Sequence, residues 1–147
     1  MERAIKVAQS AIDEIAVGAI IVKNGKVIAS AWNKKESLQD VTAHAEILAI
    51  RQAQAQSNSW RLDDCEMYVT LEPCPMCAWA IIQSRIKTLY FGSYDTKYGA
   101  LGSAIDLRRL NNSKLKVYGG IMETECNELL EKCFNKIRLQ IKPQNYS

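Results

Sequence analysis

Met67-Tyr68-Val69-Thr70-Leu71-Glu72-Pro73-Cys74-Pro75-Met76-Cys77 is the stretch whose reading decides the fold. Residues 67–71 are apolar and β-prone, the pattern of a buried strand. Pro73 and Pro75 end it, because proline has no N–H to give to a ladder. Pro75 also falls where a helix can begin, at the first helical position that proline favours. That helix runs through Ala78, Ile81 and Ile82 to about Ser84. Cys74 becomes its N-cap, and Cys77 follows at i+3, so both sulfurs point the same way. The positive end of the helix dipole lowers a thiol's pKa and favours thiolate, the form that binds metal.

On the N-terminal side, residues 2–15 place Ala4, Ile5, Ala8, Ala11, Ile12 and Ile15 at helical spacing. An apolar run over 16–22, Asn24-Gly25 and a second apolar run over 27–32 predict a β-hairpin, since Asn-Gly tolerates the positive φ of a tight turn. Residues 34–41 read as a polar loop. A helix begins near Thr42, a plausible N-cap, and continues to about Gln56. On the C-terminal side a strand covers 86–91, a loop rich in glycine and small residues covers 92–103, and a short helix or turn covers 105–110. A strand at 115–118 and a helix over 123–140 follow. In that helix Cys126, Leu129, Leu130, Cys133, Phe134, Ile137 and Ile141 form one apolar stripe. The order α-β-β-α-β-α-β-α-β-α implies an α/β fold with a mixed five-stranded sheet and helices on both faces.

The chain has 147 residues, 48% hydrophobic and 24% charged, the balance of one globular domain spanning 1–147. No apolar run approaches the ~20 residues of a membrane-spanning helix, and the first residues lack the pattern of an export signal. Lys and Arg exceed Asp and Glu by 19 to 16, a net charge of +3 that permits a nucleic-acid partner without demanding one. Five cysteines make an odd count, and only Cys74 and Cys77 have motif-like spacing. In a cytoplasmic chain such a pair points to metal or redox chemistry.

Thr42-Ala43-His44-Ala45-Glu46 supplies the rest of the chemistry, and His44 is the sole histidine. His44, Cys74 and Cys77 make three N/S ligands, the number a catalytic zinc site uses while keeping its fourth position for water. Cys65 stands at the far end of the strand that delivers Cys74, too distant for a fourth ligand at about 3.3 Å per residue. Cys126 and Cys133 read as core. Glu46, at i+2 from His44 on a helix, does not share its face. The spacing suits a division of labour in which His44 ligates and Glu46 passes a proton from the water to a ring nitrogen. Alone, each element has an ordinary structural reading: a core histidine, a redox Cys-x-x-Cys, a dipole-facing glutamate. Together they match His-x-Glu…Pro-Cys-x-x-Cys, the signature of zinc-dependent nucleobase deaminases.

The sequence resembles the bacterial tRNA-specific adenosine deaminase family of the cytidine-deaminase-like superfamily, over about residues 2–138. The likeness rests on the zinc motifs, Val17-Gly18-Ala19-Ile20-Ile21-Val22, Ala31-Trp32-Asn33, residues 43–50, residues 68–74 and the more particular segment 91–103. The resemblance implies a three-layer α/β/α fold, a homodimer, one zinc ion per subunit, and conversion of adenosine to inosine at the wobble position of a tRNA anticodon arm. Mapped on this chain, it makes His44, Cys74 and Cys77 the zinc ligands and Glu46 the proton shuttle. Asn33 would hydrogen-bond the target nucleotide, Val17, Ala45 and Leu71 would shape the base pocket, and Asp95 would contact a neighbouring ribose. Two positions depart: Ala16 stands where the family usually has proline, and Trp79 where it usually has a small residue. Lys97, Arg108, Arg109, Lys114, Lys116 and the basic residues of 132–142 are candidates to line an RNA path. The competing expectations are a deaminase of a free base or nucleotide (guanine, cytosine or deoxycytidylate) and a non-catalytic, zinc-stabilised RNA-binding module.

Overall fold

A five-stranded sheet in the order β2-β1-β3-β4-β5 organises the computed structural model, which describes residues 1–140. β1 (Gly18–Lys23) and β2 (Lys26–Trp32) form the expected hairpin, with Asn24 at φ 50° and Gly25 at φ 74° in its turn. The hairpin is antiparallel from Gly18↔Trp32 to Lys23↔Lys26, with an irregularity between Ile21 and Val22. β3 (Cys65–Leu71) runs antiparallel to β1, whereas β4 (Thr88–Ser93) and β5 (Lys116–Tyr118) lie parallel to β3 and β4 respectively. The sheet is therefore mixed, and α4 (Pro75–Gln83) is the crossover between the parallel pair β3 and β4.

Side-chain alternation sorts the two faces. Ala19, Ile21, Met67, Val69, Leu89 and Phe91 point into the main core with Ala49 and Ala53 of α3 (Ala45–Ser57) and Ala78 and Ile81 of α4. The opposite face carries α1 (Glu2–Ala8), packed on β1–β3, and α5 (Glu123–Gln140), packed on β4 and touching α1. α5 closes in at Gly92, where any Cβ would overlap the Cys126 sulfur. Cys126 is buried there, as its place in the stripe predicts.

Several boundaries differ from the sequence expectation. The first helix stops at Ala8 rather than Ile15. Ile12 and Ile15 are 73% and 41% exposed instead of facing the core. Residues 13–16 are drawn away by other partners: the Glu14 carboxylate accepts from the Glu36 and Ser37 amides at 3.1 and 2.7 Å, and the Glu14 carbonyl accepts from the Cys133 thiol at 3.2 Å. Those two amides begin α2 (Lys35–Leu38), a single turn inside the segment expected to be loop. Cys133 is thus a loop-binding residue rather than core. The described part of the last helix has the expected bounds, while Ile141 and Lys142 lie outside the described residues. Among the described residues of its stripe, only Cys126 and Leu130 are buried.

Candidate active site

Two helices aim their N-termini at one place. His44 is the N-cap of α3, with extended backbone (φ −75°, ψ 151°), and Cys74 is the N-cap of α4 in nearly the same conformation (φ −70°, ψ 172°). Pro75 occupies the first position of α4, as its sequence predicts. α3 starts at Ala45, later than the Thr42 expected from capping preference. The Thr42 hydroxyl and amide instead donate to Asp40 Oδ1 at 2.7 and 2.8 Å, so Thr42 ends a turn and does not cap a helix. His44 is consequently off the helix, and Glu46 sits in its first turn.

His44 Nδ1 lies 3.6 Å from Cys74 Sγ and 3.4 Å from Cys77 Sγ. The three ligand atoms are all within 4.8 Å of one another. A tetrahedral zinc with Zn–N near 2.05 Å and Zn–S near 2.3 Å separates nitrogen from sulfur by about 3.6 Å. The donor set therefore fits such an ion in type and in spacing. The electrostatics agree: hydrogen bonding from the Cys77 thiol, and then from His44, lowers the Cys74 thiol to about 4 despite its burial. Cys77 is pushed up by its bond to Cys74 and by burial. The bond to Cys74 raises His44 against the opposing effect of burial. Two sulfurs and an imidazole this close together could hold one metal cation.

Glu46 is 4% exposed, and burial raises its carboxyl above the usual carboxylate range. It faces a cleft of about 310 Å³, within the range of small-ligand sites. The cleft lies at the sheet edge where β3 and β4 end, the register pair Leu71↔Ser93. Because β1 is antiparallel to β3, Val17 just before β1 and Asn33 just after β2 reach this same edge. Val17, Asn33, His44, Ala45, Glu46, Leu71, Cys74 and Asp95 all line the cleft, and Cys77 is buried behind it. Asn33 donates to the Ile15 carbonyl at 3.4 Å, while its buried Oδ1 has no partner. Asp95 Oδ1 accepts from the Lys97 and Tyr98 amides at 3.1 and 2.9 Å, so this carboxylate also builds its own turn.

Sequence reasoning missed Ile15, Lys35, Glu72, Pro75 and Tyr98 as lining residues. Ile15 and Lys35 were invisible because the segments carrying them were assigned to a helix and a loop. Glu72 and Tyr98 stand inside quoted motifs without an assigned part. Arg108 is paired with Asp106 at 2.7 Å. Ala16 gains a meaning: its amide donates to Cys133 Sγ at 3.4 Å, a bond that a proline at this position could not make.

A family model described as the cytidine and deoxycytidylate deaminase zinc-binding region matches residues 1–93, which include His44, Glu46, Cys74 and Cys77. A tRNA-specific adenosine deaminase of Bacillus subtilis is 40% identical over 97% of this chain and 91% of its own length. The chain belongs to the tRNA-specific adenosine deaminase family. Among solved structures, one from studies of A-to-I editing by tRNA:A34 deaminases at the wobble position of transfer RNA superposes with a TM-score of 0.81 at 43% identity. That match covers 88% of this chain and 96% of the other. A guanine deaminase from Bacillus subtilis matches with a TM-score of 0.61 at 38% identity, covering 63% of this chain and 61% of its own. The mixed five-stranded sheet is the cytidine-deaminase-like fold of these deaminases, and the family is zinc-binding.

Proposed function

We propose that this chain, acting as one catalytic domain, converts adenosine to inosine at the wobble position of a tRNA anticodon arm. One observation carries the reading. The His44–Cys74–Cys77 cluster, the buried Glu46 carboxyl and the unpartnered Asn33 Oδ1 border one cleft of nucleobase size. His44, Cys74 and Cys77 would hold the zinc, and an ion held there would supply a nucleophilic water at neutral pH by lowering its pKa. Glu46 accepts a proton from the attacking water and delivers it to the purine ring as the water oxygen bonds to C6. A second proton passes through Glu46 to the exocyclic nitrogen, the C6–N6 bond breaks, and ammonia leaves. Burial suits Glu46 to this task, because a raised pKa lets the carboxyl accept a proton and give it back.

Asn33 Oδ1 gains its missing partner from an N–H of the target base, and Val17, Ala45 and Leu71 wall the ring. Asp95, at the same cleft, reaches the adjoining sugar. An unstacked loop base enters such a pocket at low energetic cost. The family resemblance of residues 91–103 and the fuller structural match to the tRNA:A34 deaminase favour RNA over a free base. A homodimer fits the outer surface: Trp79 on α4 and Leu110 on the adjacent 3-10 turn (Leu107–Leu110) are both exposed. No described helix is long and apolar enough to cross a membrane, and the cytoplasm is where a tRNA substrate would be met.

The test is incubation with an anticodon stem-loop carrying wobble adenosine, with inosine read by mass spectrometry. Inosine formation supports the reading. Turnover of free guanine or cytosine without RNA editing reverses the substrate choice, and RNA binding that is unchanged in Glu46→Gln with no turnover in either protein leaves a binding module.

A further inference from the structure

Glu72 is a carboxylate with 2% exposure and no basic partner among the described salt bridges. It lies between the end of β3 and the N-cap of α4. All of its recorded donors come from one segment. Oε1 accepts from the Asp95 amide at 3.3 Å and from the Ser103 hydroxyl, and Oε2 accepts from the Leu101 and Ser103 amides at 3.3 and 3.1 Å. Gly99 passes so close that a Cβ there would overlap the carboxylate. The Ala100 amide adds a bond to the Pro73 carbonyl at 2.9 Å. Residues 95–103 are thereby wrapped around one buried anion, and this strap carries Asp95 and Tyr98 into the cleft.

Resting on the function proposed above, we infer that Glu72 is a positioning residue that holds the 95–103 strap as the substrate-binding wall of the cleft. The carboxylate is matched to its task because both oxygens accept and neither donates. An isosteric amide has one acceptor oxygen, and its NH2 group would confront backbone N–H donors at the other position. Glu72→Gln therefore loosens at least one side of the strap while preserving volume. Among the described residues no hydrogen bond joins the Glu72 carboxylate to His44, Cys74 or Cys77, so its effect falls on substrate binding and not on the chemical step.

Steady-state kinetics on the wobble-adenosine stem-loop should show Glu72→Gln raising KM about tenfold, the equivalent of one charged hydrogen bond, with kcat within about twofold. Zinc per chain should stay at the wild-type value. Ser103→Ala, which removes only the hydroxyl contact, should raise KM about threefold and covers the case in which Glu72→Gln folds poorly. Amide hydrogen exchange supplies a readout independent of RNA: Leu101 and Ser103 should exchange faster in Glu72→Gln. If the wild type deaminates no RNA, the substrate reading fails and exchange alone judges the clamp. Unchanged exchange, an unchanged KM, or a fall in kcat accompanied by zinc loss overturns the inference.

Discussion

The N-termini of α3 and α4 serve one cleft but are built by different means. α4 begins where Pro75 makes it begin: the ring sets φ and removes an N–H that no helical partner would have taken. Its start is written in adjacent residues. α3 begins at Ala45 because of what happens around it. Asp40 takes the Thr42 hydroxyl and amide, and the Lys34 amide donates to the Ala43 carbonyl at 2.9 Å, so residues 42–44 stay outside the helix. A helix end that local chemistry defines can carry two ligands at a fixed spacing. One that the preceding turn defines sets His44 and Glu46 on opposite sides of its first residue.

Substitutions at the two ends should separate these parts. The largest effect falls at α4: Cys74→Ala should lose zinc, measured by atomic absorption, and with it all inosine formation and part of the thermal stability. Glu46→Gln at α3 should keep the zinc and lower kcat by about 10²–10⁴, the range for removing a general acid–base group. Retention of zinc in the first variant, or its loss in the second, would erase the distinction between gripping and proton transfer. At the mouth, Asn33→Ala should raise KM about tenfold through the loss of one buried hydrogen bond, and an unchanged KM would remove Asn33 from substrate contact.

Smaller effects sharpen the structural contrast. Pro75→Ala should cost about 0.4–1 kcal/mol in denaturant unfolding, because alanine enlarges the unfolded ensemble, while zinc stays bound. Asp40→Ala tests the α3 side. Hydrogen bonds from the Thr42 side chain and amide hold the Asp40 carboxyl below its ordinary value. Its contribution is present above the unfolded value of about 3.9 and disappears as pH falls through the lower folded value. The wild type should therefore melt slightly higher than Asp40→Ala at pH 7, with the difference vanishing on acidification below pH 4. A constant difference would mean that charge at Asp40 plays no part in keeping residues 42–44 out of the helix.

The sheet and the ligand set were largely legible in the chain because their signals are short-range. Asn24-Gly25 needs its turn, Pro75 needs its helix start, and the apolar run 67–71 needs a covered strand. The errors lie where a distant partner intervenes. Helical spacing in 2–15 is real, yet Glu14 caps α2 from 22 positions away and pulls residues 13–16 off the helix. At Thr42 the competitor is instead local: capping preference there is real, yet Asp40, two positions back, claims the side chain. Glu72 was in plain view without a part to play, since its donors stand 23 to 31 positions downstream.

Residue identity and spacing along the chain were enough to establish the strand–proline–helix unit, the hairpin, and the histidine and two cysteines that the structure brings together beside Glu46. Those features depend on a few neighbouring dihedral angles and on donor type, which local sequence controls. Folding in three dimensions decided which nitrogen of His44 meets the sulfurs, where α3 begins, that Asn33 keeps an unpaired oxygen in the cleft, and that Glu72 binds the strap beside it. The His44–cysteine and Glu72–strap contacts join segments far apart in the chain, and a buried polar atom acquires such a partner only when the sheet brings those segments to one edge.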